Sequence, residues 1–90
     1  MKLADKVTIP ANVMARQVDE ETVILDLRGG AYYGLNDIGT RVWQLLIEGK
    51  TPMEVCDSMM EEFDVSREEL EKDVLTLLNE LECSQLIFRA

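Results

Sequence analysis

Histidine is missing altogether from these 90 residues, and cysteine occurs only at Cys56 and Cys83. Without imidazole the chain lacks the usual general base of neutral pH, and zinc could draw only on two thiolates and some carboxylates. A disulfide framework wants more cysteines and an oxidising compartment, so both thiols are expected to be reduced and buried, with no metal bound. Cations are scarce: nine Lys and Arg stand against eighteen Asp and Glu, a net charge of −9. No apolar run approaches the roughly 18 residues that span a bilayer. The opening Met1-Lys2-Leu3-Ala4-Asp5-Lys6 puts charge where a secretory signal needs apolar residues, so a cytoplasmic protein is expected. Repeats, low-complexity tracts and linkers are also lacking. The length leaves room for one core, and residues 1–90 are read as a single domain.

What remains is 47 % apolar residues, enough for a packed core and too many for intrinsic disorder. The negative charge is uneven: residues 54–82 hold eleven acids and two bases, while residues 1–53 are nearly balanced. Such a surface repels phosphate backbones and favours basic partners, although solvated helix faces account for much of it.

The first third reads as strands. Val13–Val18 and Thr22–Leu27 are rich in β-branched residues and flank Asp19-Glu20-Glu21, a short acidic turn. Arg28-Gly29-Gly30 supplies a second turn, and Ala31-Tyr32-Tyr33-Gly34-Leu35 a third strand. The remainder reads as helices over about residues 37–48, 52–63 and 67–82. Asn36 caps the first, whose apolar positions Ile38, Val42, Leu45 and Leu46 keep helical spacing up to Gly49. Thr51-Pro52-Met53-Glu54 joins a capping box to a proline at the first helical position, and Ser66-Arg67-Glu68-Glu69, another capping box, opens the longest helix. Leu70, Val74, Leu77, Leu78 and Leu81 then share one face. The apolar tail Gln85–Arg89 is expected to pack back as a short strand or an extended arm. The fold class is α+β: a three-stranded antiparallel sheet over about 13–35 followed by three helices, the outline of a winged helix-turn-helix.

Catalysis finds no support, since no Gly-rich phosphate loop is present and no Ser or Cys stands beside a base. The runs Glu61-Glu62-Asp64 and Glu68-Glu69-Glu71 read as solvated surface. Winged helices commonly read a major groove, but here the third helix sets Arg67 and Lys72 against six acids. Peptide binding is left. The last strand of the meander is an edge to which an extended peptide can add. Tyr32 and Tyr33 offer rigid contact area there, and Gly34 leaves room for another backbone. Alternation puts Tyr33 and Leu35 on one face and Tyr32 on the other. Trp43 is read as a core anchor and Asn36 as a cap.

The stretch Gly30 to Leu46, with Tyr33-Gly34-Leu35-Asn36, then Gly39 and Val42-Trp43, resembles the signature of the PqqD-like family. Thr51–Val55 is similar to that family's second-helix start, and Phe63–Ser66 with Glu69 to Leu81 to its third helix; the likeness covers about residues 12–88. The resemblance implies a non-catalytic recognition element for ribosomally made, modified peptides. It implies strand addition of a precursor's leader segment in a groove between the third strand and the third helix, and presentation to a modifying enzyme or leader protease. A lasso-peptide pathway is favoured over a pyrroloquinoline quinone one. The implied peptide-binding residues are Ala31, Tyr32, Tyr33, Gly34, Glu69, Asp73, Val74, Leu77 and Leu78. No cofactor, nucleic acid or membrane is implied. The alternatives are a winged-helix transcriptional regulator that binds DNA or a protein partner, and a dimerisation module using the same edge.

Overall fold

The computed structural model of the chain describes residues 1–89. Its element order is β1 (Val7–Thr8), β2 (Val13–Val18), β3 (Glu21–Asp26), β4 (Tyr32–Leu35), α1 (Asp37–Ile47), α2 (Pro52–Glu62), α3 (Arg67–Cys83) and β5 (Phe88–Arg89). The meander is antiparallel in the order β2-β3-β4, as expected from the sequence, so β4 and β2 are its two edges. The apolar tail is a strand, and its partner β1 had no sequence signal: the two form a separate antiparallel ladder with Val7 opposite Arg89.

Local chemistry sets each boundary. Val18 pairs with Glu21, so the acidic turn is only Asp19-Glu20, with Asp19 at φ 57 in the left-handed region that Asp tolerates. Gly30, at φ 72, lets the next turn close, and the Ala31 carbonyl accepts the Asp26 N–H at 2.8 Å. Asn36 Oδ1 accepts the Gly39 N–H at 2.9 Å and starts α1; Gly49 stops it at φ 91. The α2 box is reciprocal: the Glu54 N–H donates to Thr51 Oγ1 and the Thr51 N–H to Glu54 Oε1. At Ser66 one bond forms, the Glu69 N–H to Oγ at 3.2 Å.

One cluster of buried apolar side chains joins the layers. Ile24 and Leu35 come from the inner sheet face, Trp43 and Leu45 from α1, Val55 and Met59 from α2, Leu78 and Leu81 from α3, and Leu86 and Ile87 from the tail. Gly39 is a close approach: a Cβ there would stand 3.1 Å from Leu35 Cδ2. That contact brings the start of α1 under the end of β4 and fixes one end of the site below. Arg41 grips Glu62 through two bonds of 2.8 Å, joining α1 to α2, and Arg67 meets Asp57 at 2.6 Å, joining α3 to α2. The thiols differ from expectation. Cys56 is buried, which raises its pKa, but Cys83 is exposed because it ends α3 off the apolar face.

Candidate functional site: a groove between the edge strand and the last helix

The free edge of β4 faces α3 across a groove made of three adjoining hollows. At one end α1, the end of α2 and α3 enclose about 170 Å³ lined by Ile38, Val42, Phe63, Val65, Leu77 and others, with Glu69 and Asp73 as the only charged lining. In the middle, Tyr33 to Asn36 face Asp73 and Leu77 over Ile38 and Gly39. At the far end Tyr33 lies over Thr76, Asn79, Glu80 and Cys83. Ile38, Asp73 and Leu77 are common to the first two hollows, and Tyr33 to the last two, so the three run together.

Helical spacing explains the wall. Leu70, Val74, Leu78 and Leu81 point into the core, and Glu69, Asp73, Leu77 and Glu80, one flank over, border the groove. Glu69 and Asp73 have no ion-pair partner among the described residues. The Tyr33 hydroxyl donates to Glu80 Oε2 across the groove. That bond raises the Tyr33 pKa above its ordinary 10.0, and burial adds to the effect. One wall thus offers unpaired backbone groups, the floor is apolar, and the other wall is acidic. The arrangement suits an extended peptide that carries an apolar anchor and cations.

The structure sorts the expected site residues. Tyr33, Gly34, Glu69, Asp73 and Leu77 come together in the groove, and Val74, almost fully buried, forms part of its floor. Three differ. Leu78 is 0 % exposed and lies wholly in the core, because its place on the helix puts it beside Val74 and Leu81 rather than over the flank. Tyr32 is 77 % exposed but projects from the opposite face of the sheet. Ala31 precedes β4, its carbonyl already used in the turn. Nothing in the fold requires glycine at Gly34, since a Cβ there would meet open space. Sequence reasoning did not single out Ile38, Phe63, Val65 or Glu80; the first three were legible only as apolar residues at helix ends, and the Glu80 partnership with Tyr33 spans the chain. Among the described residues no group of His, Cys, Asp or Glu is placed to hold a metal, and no helix is long and apolar enough to cross a membrane.

The chain has relatives over nearly its whole length. Residues 21–87 match the family described as Coenzyme PQQ synthesis protein D (PqqD). A solved structure of TbiB1 in complex with the TbiA(beta) leader peptide is similar at 38 % identity and a TM-score of 0.83, over 88 % of this chain and 92 % of that one. A lasso peptide synthetase B1 complexed with a leader peptide is similar at 28 % identity and a TM-score of 0.82, over 91 % and 96 % of the two chains. No curated protein matches the sequence. With that family matched over residues 21–87 and the fold shared with these relatives along nearly its whole length, the chain belongs to the PqqD family.

Proposed function

We propose that this chain, acting as one recognition domain over residues 1–90, binds the leader segment of a ribosomally made precursor peptide. The leader adds as a fourth strand on β4 and lies against the Glu69–Asp73–Leu77 flank of α3. It is then presented to a modifying enzyme or leader protease of a lasso-peptide pathway, in the cytoplasm and without catalysis by this chain. The observation that carries the reading is the pairing of a free β edge with an acidic helix flank over an apolar floor. Both solved relatives, each a complex with a leader peptide, support it. A DNA-binding regulator is not favoured, because α3 carries acids in its first turn and has no basic residue in its last.

Calorimetric titration with the leader of the neighbouring precursor tests the proposal. Micromolar or tighter binding is expected, with Asp73→Lys and Leu77→Asp each weakening it by about tenfold or more, roughly 1.4 kcal/mol. A folded wild-type protein that gives no binding overturns it.

A further inference from the structure

Glu69 stands where a capping residue should. From the same place in α2, Glu54 accepts the Thr51 N–H at 3.0 Å, yet at the start of α3 only the Ser66 hydroxyl bond forms. The Glu69 carboxylate borders the hollow of about 170 Å³ instead, with Asp73 one turn further on. Neither takes an ion pair from the described residues. Nearby cations are engaged or turned away. Arg41 is held by Glu62 and Arg67 by Asp57 and Glu71, while Lys72 lies about 100° round the helix from Asp73. Among the described residues no Lys or Arg lines any of the three hollows. Asp37 and Asp64, next to lining residues in sequence, add to the negative field.

The groove also has a metric. Tyr33 meets Glu80, while Leu35 and Asn36 share a hollow with Asp73. Seven residues of α3, about 10 Å, thus run beside three of β4, also about 10 Å, in the opposite direction. On the β4 side contacts alternate. The Ala31 carbonyl accepts the Asp26 N–H, so Tyr33 and Leu35 bond to β3, and Tyr32 and Gly34 hold their N–H and C=O groups outward. On the α3 side Glu69, Asp73 and Leu77 follow at four-residue steps of about 6 Å. Side chains on one face of a strand recur every second residue, at about 6.7 Å. The two rows therefore keep step over three positions. Glu80 falls out of step, about 4.5 Å past Leu77, and its carboxylate already holds the Tyr33 hydroxyl.

We propose, building on the leader-binding reading above, that the leader is read as a pattern of alternate residues. Two Lys or Arg stand two apart and an apolar side chain two further on, met in turn by Glu69, Asp73 and Leu77. Backbone bonds at Tyr32 and Gly34 alone let an added strand slip by two residues without changing face; the row on α3 selects one register.

Calorimetry with the full chain tests the pattern. The leader of the neighbouring precursor is synthesised with two lysines in its docked segment, either two or three residues apart, at equal net charge. Wild type is expected to prefer the spacing of two by about tenfold. Glu69→Gln and Asp73→Asn should each cut that preference to about twofold. A leader with two glutamates two apart should bind the Glu69→Lys, Asp73→Lys double variant better than it binds wild type. Glu68→Gln removes the same charge beside Glu69 but off the groove, and should keep the preference. All three acids are exposed, so the substitutions leave the core untouched. If wild type binds both spacings equally, or Glu68→Gln erases the preference as Asp73→Asn does, the pattern is overturned while leader recognition stands. If wild type binds neither these peptides nor the natural leader, both fall.

Discussion

Adjacent leucines on α3 divide the labour of the site. Leu77 is half-buried at the groove, and Leu78 is wholly enclosed by the core. A helical wheel drawn from sequence puts both at the edges of the apolar face and cannot say which edge meets β4. That depends on how α3 is rolled against the sheet, which long-range packing decides. Their substitutions should therefore separate. Leu78→Ala should cost about 2–5 kcal/mol of stability, measured by urea unfolding, because it leaves a cavity in a closed core. Leu77→Ala should lose less stability and more leader affinity. Tyr33 and Glu80 teach the same lesson. Each residue was visible in sequence, and Tyr33 was readable as inward-facing by alternation alone, but the hydrogen bond joining them spans the groove and had no local signature.

Among the elements, the helices were the most legible, because short-range chemistry builds their ends. Asn36, Thr51 and Ser66 cap as their side chains dictate, and observed boundaries lie within a residue or so of expectation. The two-residue β1 escaped notice since its only support is β5, at the other end of the chain. The α2 cap gives a direct check. Thr51→Ala should destabilise the fold by about 1 kcal/mol, since it exposes an orphan N–H at the start of α2 and removes half of the box. Glu54 adds a pH effect. Its pKa lies below the ordinary 4.5, chiefly through the Thr51 backbone bond, so its contribution is present above that value and is lost as pH falls through the depressed one. In acid, then, the wild type should lose stability that a Glu54→Gln protein, with no carboxylate to titrate there, retains; thermal melts across pH 3 to 7 measure the difference.

Across the whole molecule, the charge is polarised, with the acids of α2 and α3 on one side and a near-neutral meander on the other. The groove lies on the acidic side, so leaders rich in Lys or Arg should bind faster and more tightly at low salt. Raising salt to about 0.5 M, where the Debye length falls to roughly 4 Å, should weaken leader binding several-fold in calorimetry. Unchanged affinity would mean that backbone pairing and the apolar floor alone hold the leader.

The β1–β5 ladder places Val7 beside Arg89 on a two-stranded sheet of its own. Between these paired residues the backbone runs nearly as a ring. A fold of that kind can be grafted into a longer polypeptide through one point of attachment, or cut open at a surface turn such as Asp19-Glu20 and rejoined across the gap, without rerouting any strand of the meander. Reading a peptide is thereby a portable property of this fold, separable from whichever polypeptide carries it.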